Sequence, residues 1–67
     1  MNEYQEAMNN LINGNLSDYH DYIRSMGRRE FGGFVHWLYF QGPTQNSRIN
    51  ITRAFHHSKV ALERISG

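Results

Sequence analysis

The first apolar stripe of the chain predicts a helix over residues 2–13. Its apolar positions recur every three or four residues, the spacing of one helix face: Tyr4, Ala7, Met8, Leu11 and Ile12. Asn2 is placed to cap the amino end, because its side chain can accept a backbone N–H of the first turn. Gly14 is placed to end the helix in the left-handed conformation, which glycine adopts without strain.

A second stripe predicts another helix, with Ser17 as its amino-terminal cap and Gly27 as its end. The apolar positions repeat the same spacing: Tyr19, Tyr22, Ile23 and Met26. Asp18 and Asp21 follow Ser17 in the first turn, where the helix dipole favours negative charge. The connection between the two helices is short, which favours antiparallel or steeply crossed neighbours.

The most apolar stretch, residues 31–40, holds five of the nine aromatic residues and fits two structures. As a helix, it has one apolar stripe: Phe31, Phe34, Val35, Leu38 and Tyr39. As a strand, residues 34–40 are a continuous apolar run that would pair with residues 48–52 in a hairpin. A lone hairpin is weak in water, so we expect the helix. Gly32 and Gly33 then mark a kink or a close approach of two backbones.

Residues 42–47 form a polar loop that starts with a helix-breaking Gly-Pro pair. Ser47 or Asn50 can then cap a last helix, which runs to about Ser66. Its apolar face is Ile51, Ala54, Phe55, Ser58, Ala61, Leu62 and Ile65. The sequence therefore predicts an all-α fold, a compact bundle of three or four short helices in one domain over residues 1–67. The alternative is an α+β fold that contains the hairpin.

Composition limits the chemistry of this chain of 67 residues without cysteine. The lack of thiols excludes a disulfide scaffold and a thiolate metal site. His56 and His57 are adjacent and would point about 100° apart on a helix, so one ion would also need His20 or His36 from other elements. No nucleophile motif or phosphate-binding loop is present. We therefore expect no enzyme activity, no metal and no cofactor.

The sequence carries no membrane or export feature. Its amino end lacks the basic and apolar regions of a signal peptide, and no apolar run approaches the roughly 18 residues of a membrane span. We therefore expect no membrane association and a cytoplasmic location, in the host cell if the protein is viral.

The net charge of +1 conceals a division along the chain. Residues 1–23 have four acidic residues and no Lys or Arg (−4), whereas residues 24–67 have seven basic and two acidic residues (+5). A basic half can contact phosphates, and the candidates are Arg24, Arg28, Arg29, Arg53, Lys59 and Arg64. This favours a nucleic-acid-binding accessory or regulatory protein as one function. The alternative is that the two halves simply pair with each other in the fold.

Aromatic residues are too many for so small a core, which favours a protein interface. The predicted interface residues are Tyr22, Trp37, Tyr39 and Phe40. We therefore expect a small non-enzymatic protein-binding module, with a homodimer as one form. Its small size and its lack of catalytic motifs suggest, by association alone, a phage or mobile-element protein. Such a protein would inhibit a larger host protein or complex by occupying its surface.

Overall fold

Four α-helices and one 3-10 turn form the fold, with no strand in residues 2–66. The structure is a computed structural model that describes the backbone of residues 2–66 and the side chains of residues 2–63. The elements are α1 (Glu3–Ile12), α2 (Leu16–Ser25), α3 (Arg28–Phe40), a 3-10 turn (Gly42–Thr44) and α4 (Arg48–Ser66). The all-α prediction is confirmed. The hairpin alternative is wrong, because residues 34–40 and 48–52 are helical.

α1 begins and ends at the residues that the sequence predicts. The Tyr4 backbone N–H donates to Asn2 Oδ1 at 2.8 Å, so Asn2 caps the amino end. At the carboxyl end Gly14 has a φ of +84°. The Asn15 N–H donates to the Asn10 carbonyl at 2.8 Å, which is the long bond of a Schellman motif. A left-handed glycine therefore turns the chain toward α2.

Both ends of α2 differ from the prediction. The Tyr19 N–H donates to the Asn15 carbonyl at 3.2 Å, so Ser17 lies inside the first turn and is not the cap. The Schellman turn leads directly into α2, which leaves no extended residue at Ser17. At the other end, the Gly27 carbonyl accepts the Phe31 N–H at 2.9 Å, so Gly27 begins α3 instead of ending α2.

Phe34 lies at the centre of the core, in the middle of the aromatic stretch. Its ring centroid lies 5.3 Å from that of Tyr4 and 6.2 Å from that of Trp37. The largest fully buried side chains come from α1, α2 and α3: Tyr19, Phe34, Met8, Leu11, Ile23 and Leu38. Burial of aromatic and aliphatic surface on this scale supplies the main stabilising free energy of a small domain.

α3 continues as one helix through its paired glycines. A β-carbon at Gly33 would lie 2.8 Å from the Tyr4 hydroxyl oxygen, whereas one at Gly32 would meet nothing within 4 Å. The close approach therefore occurs at Gly33 only. It is an approach of the Tyr4 side chain and not, as expected, of a second backbone.

Buried hydrogen bonds connect α2 to α4. The Tyr19 hydroxyl donates to the Ala54 carbonyl at 2.9 Å and lies 2.8 Å from Ser58 Oγ. Burial raises the pKa of Tyr19 to about 12, although the hydrogen bond with Ser58 acts in the opposite direction. The tyrosine therefore stays neutral and keeps both contacts at physiological pH.

Asn46 fixes the loop that leads into α4. Its Nδ2 donates to Gln5 Oε1 at 2.9 Å and to the Gly42 carbonyl at 3.0 Å. The loop is thereby held against α1. The Asn50 N–H donates to Ser47 Oγ at 3.2 Å, which confirms Ser47 as the residue that caps α4.

Candidate docking cleft between α3 and α4

An open cleft lies between α3 and α4. The backbones of α1 and α2, and of α2 and α4, approach closely, whereas α3 approaches mainly the 3-10 turn. α3 is anchored in the core by Phe34, Trp37 and Leu38. Of the α3 residues that line the cleft, Leu38 is buried, whereas three are half-buried or exposed: Phe31, Val35 and Tyr39.

Tyr39 and Phe55 divide the cleft into two sockets. Their ring centroids lie 5.0 Å apart, and both side chains line both sockets. The first socket has a volume of about 560 Å³ and is also lined by Phe31, Val35, Ser58 and Leu62. The second has a volume of about 720 Å³ and is also lined by Leu38, Pro43, Ile51 and Thr52. Each is large enough to receive bulky side chains of a ligand.

The walls of the cleft are mostly apolar and are open to water. Tyr39 is 65% exposed and Leu62 is 38% exposed, although both have large apolar surfaces. An adjacent group of aromatic and aliphatic side chains with a polar rim is typical of a protein-interaction surface. The cleft is therefore the candidate functional site.

Two cations flank the cleft on α4. Arg48 lines the second socket and Lys59 lines the first. They are eleven positions apart, about three helical turns, so they lie on the same side of α4 and about 16 Å apart. Lys59 Nζ lies 4.0 Å from Glu63 Oε1, an exposed pair that contributes little to stability. The second socket therefore has a cation at its edge, whereas the first has a cation beside a carboxylate.

The predicted interface residues of α3 separate into surface and core. Tyr39 lines both sockets, and Phe40 is 69% exposed with its ring centroid 4.6 Å from that of His36. Trp37 is only 6% exposed and stacks with Phe34. This corrects the expectation that Trp37 is left uncovered for a partner. Its ring is directed into the core, where it also covers the glycine that starts the 3-10 turn.

Tyr22, the remaining predicted interface residue, does not line the cleft. It is half-buried in a shallow depression with Glu3 and Glu6, and its ring meets Phe34 edge-on at 6.2 Å. Burial, followed by the negative charge of Glu3, raises the pKa of Tyr22 to about 12. Tyr22 therefore belongs to the acidic surface formed by α1 and α2.

Sequence reasoning missed most residues of the cleft, among them Phe31, Val35, Phe55 and Leu62. They lie in the apolar stripes of α3 and α4, which the sequence assigns to the core as a whole. The breadth of the α3 stripe is the sequence feature that could have indicated the cleft. Residues 31–40 have apolar side chains on more than one side of a helix. Such a helix covers a core with one side and exposes another.

Three of the predicted phosphate-contacting residues lie around the junction of α2 and α3. Arg24 is half-buried, and its Nε donates to the Ala61 carbonyl at 3.3 Å while its Nη1 donates to Asp21 at 3.3 Å. Arg28 and Arg29 are exposed in the first turn of α3. Arg24 therefore has a structural role, and two exposed arginines remain at this junction.

The predicted cations of α4 do not form one stripe. Arg53 lies about 140° around the helix axis from Arg48, whereas Lys59 lies within about 20° of Arg48. Arg64 lies outside the described side chains. The cations described on α4 therefore face at least two directions, and only Arg48 and Lys59 belong to the cleft.

Two histidines meet where α2 packs against α4. His20 Nε2 lies 3.1 Å from His57 Nδ1, so one ring nitrogen donates a hydrogen bond to the other. Burial lowers the pKa of His57, and the nearby charges of His20, His56 and Arg53 lower it further. Within residues 2–63, no group of three His, Cys, Asp or Glu side chains is arranged to hold a metal ion.

Comparisons with family models, with curated proteins and with solved structures found no match. In the described part of the chain, no helix combines the length and apolar character needed to cross a bilayer. The geometry of the cleft is therefore the basis for the functional proposal.

Proposed function

We propose that the chain is a small non-enzymatic protein-binding module whose docking surface is the cleft between α3 and α4. The main supporting observation is the contact between Tyr39 and Phe55 across an otherwise open cleft, with Tyr39 exposed. Apolar side chains of a partner would remove these rings from water, which is favourable by about 25 cal/mol per Å² of buried apolar surface. Aromatic rings in such pockets are also frequent binding hot spots.

The distribution of cations supports a protein partner over nucleic acid. Binding along a phosphate backbone requires several cations on one continuous surface. Here Arg24 is engaged by Asp21, and Arg53 faces a different direction from Lys59. Arg28 and Arg29 alone are a small set for phosphate binding. These cations therefore give nucleic-acid binding less support than the cleft gives a protein partner.

The partner class that we propose is a larger protein or complex of a host cell, inhibited when the module covers its surface. The host-cell partner is proposed by association alone, because small size and a lack of catalytic motifs are features of many phage and mobile-element binding proteins. The cleft adds a physical requirement. The partner must present apolar side chains that enter the two sockets.

A charge placed in the cleft tests the proposal. The protein that the wild type captures from nuclease-treated lysate is purified, and its affinity for each variant is measured by calorimetry. Tyr39→Asp should weaken binding by at least about tenfold, since it places a carboxylate against an apolar partner surface. Ile12→Asp is the matched control, because Ile12 is an exposed apolar residue on α1, 40% exposed, and does not line the cleft.

Three results would contradict the cleft as the docking surface. One is equal affinity of the wild type and Tyr39→Asp, with both folded by circular dichroism. Another is an equal loss of affinity in Ile12→Asp. The third is capture that disappears after nuclease treatment, together with a salt-dependent gel shift that Arg28→Glu with Arg29→Glu abolishes. That last result would identify a nucleic-acid-binding protein instead.

A further inference from the structure

The two sockets repeat one pattern along α4. The second socket is lined there by Arg48, Ile51, Thr52 and Phe55. The first is lined there by Phe55, Ser58, Lys59 and Leu62, with Glu63 at its edge. Each set of four occupies positions i, i+3, i+4 and i+7, and the two sets are related by a shift of seven residues. The sockets are therefore one heptad apart.

Four residues in this arrangement form the kind of hole that receives a side chain in knobs-into-holes packing between helices. Seven residues of an α-helix correspond to a rise of about 10.5 Å. Two side chains seven residues apart on a second helix have the same separation. A helix that packs along α4 at the shallow angle of such pairs can therefore fill both sockets at once.

α3 supplies the opposite wall of the groove. Phe31, Val35 and Tyr39 are four residues apart in turn and lie along one face of α3. Phe31 shares the first socket with Leu62, near the carboxyl end of α4, whereas Tyr39 meets Phe55 further back along α4. The two walls therefore run antiparallel, and a third helix between them would contact both.

Charge defines the flanks of the ligand. Arg48 and Lys59 lie on the same side of α4, one at each socket. At the first socket Lys59 lies beside Glu63, whereas no carboxylate lines the second socket with Arg48. Glutamate or aspartate beside the apolar anchor of the second socket would therefore meet Arg48 at the rim, where complementary charge favours association and selects among partners.

Outside the cleft walls, no helix of a second copy presents such an apolar face among the described side chains. Outside the cleft walls, the exposed large apolar residues among the described side chains are Ile12, Phe40 and Ile49. They lie on α1, α3 and α4 respectively, so no helix offers two of them. The apolar stripes of the acidic helices α1 and α2 face the core.

We infer that the cleft binds an amphipathic helix of a different protein. This helix carries two bulky apolar side chains at i and i+7 that fill the two sockets, and an acidic residue beside the one that fills the second socket. The inference rests on the proposed docking function of the cleft and adds the chemistry of its ligand.

A selection experiment with peptides tests this ligand and does not require the natural partner. The probe is a displayed library of helix-forming peptides about three heptads long, with all outward positions randomised. Peptides are selected on the wild-type protein and sorted by binding to Tyr39→Asp and to Ile12→Asp. We expect cleft-dependent binders, lost with Tyr39→Asp and kept with Ile12→Asp, to be enriched in Leu, Ile, Phe or Met seven residues apart and in flanking Asp or Glu.

The outcomes separate the two proposals. Cleft-dependent binders without the seven-residue spacing would overturn the helical ligand and leave the docking function standing. Recovery of no cleft-dependent binder would count against both proposals. A wild-type dimer in sedimentation that Tyr39→Asp dissociates would show a second copy in the cleft, and would overturn the inference that a different protein binds there.

The proposed contacts between the cations of the cleft and acidic residues of the ligand are tested separately with the selected peptides. Arg48→Gln should weaken an acidic-flanked peptide by about two- to fivefold, the range for exposed ion pairs. Lys59→Gln should have a smaller effect, because Lys59 lies beside Glu63. The effect should shrink as salt is raised. The matched control is Arg53→Gln, which alters a cation of α4 that does not line the cleft. Equal effects of all three substitutions would overturn the assignment of acidic flanks.

Discussion

Gly32 and Gly33 are adjacent in α3, yet a methyl group would meet different surroundings at each position. At Gly32 it would enter open space, whereas at Gly33 it would lie 2.8 Å from the Tyr4 hydroxyl oxygen. The Tyr4 ring is itself packed, with its centroid 5.3 Å from that of Phe34 and 5.7 Å from that of Trp37. A side chain introduced at Gly33 must therefore displace the Tyr4 side chain, which takes part in the core.

Gly32→Ala and Gly33→Ala form a matched pair for measuring this difference. Gly32→Ala should raise the free energy of unfolding by about 0.5–1 kcal/mol, because alanine lowers the entropy of the unfolded chain and favours the helix. Gly33→Ala has the same propensity gain but must move Tyr4, so its gain should be smaller or negative. Urea denaturation measures both values, and equal stabilisation by the two substitutions would contradict the close contact at Gly33.

At the level of the elements, the junction of α2 and α4 depends on the protonation of His57. His20 from α2 faces His57 from α4, and His56 and Arg53 add positive charge on the α4 side. The pKa of His57 is lowered in the fold, while it returns to about 6.5 in the unfolded chain. The unfolded state therefore binds more protons below this pH, and stability falls as the pH decreases through 6.5 toward the folded pKa.

The variant His57→Gln removes the titrating ring from this junction. We expect the wild type to lose stability between pH 7 and pH 5, and His57→Gln to lose less over the same interval, measured by urea denaturation at each pH. His36→Gln is the control, since His36 packs against Phe40 and not at this junction. A decline in His57→Gln as steep as that of the wild type would rule out His57 as its source.

The existence of each helix could be predicted from local sequence patterns, but some helix boundaries and the cleft could not. Asn2, Gly14 and Ser47 were predictable, because each acts within a few residues of its own position. The α3 stretch left helix and strand both open, since a short apolar run cannot distinguish them by period. The prediction wrongly placed the start of α2 at Ser17. The backbone hydrogen bonds of the preceding Schellman motif determine where α2 starts.

Which side of α3 faces the core depended on long-range packing. The aromatic stripe is broad enough that several rotations of the helix would bury part of it. The position of Trp37 inside and of Tyr39 outside follows from contacts with α1 and the 3-10 turn, which lie far away in the sequence or depend on loop geometry. The period of one helix does not contain this information.

For the whole molecule, apolar packing and buried hydrogen bonds hold the helices together, and not ion pairs between helices. The ion pairs found between described side chains each lie within one helix: Asp21 with Arg24 in α2, and Lys59 with Glu63 in α4. The acidic helices α1 and α2 are instead joined to α3 and α4 through the rings that surround Phe34 and through the buried hydrogen bonds of Tyr19. Among the described residues, the basic side chains of α3 and α4 therefore make no ion pair with α1 or α2, in agreement with the acidic flank proposed for the ligand.

The burial of the only tryptophan gives the molecule a built-in optical reporter. Trp37 is 6% exposed, stacks with Phe34 and covers Gly42, so its emission should be blue-shifted in the fold and move to the red when urea exposes the indole. A peptide in the cleft would contact Tyr39 and Phe55, whereas Trp37 lines neither socket. Titration with such a peptide should therefore leave the emission maximum constant, and a large shift on binding would mean that the ligand opens the core.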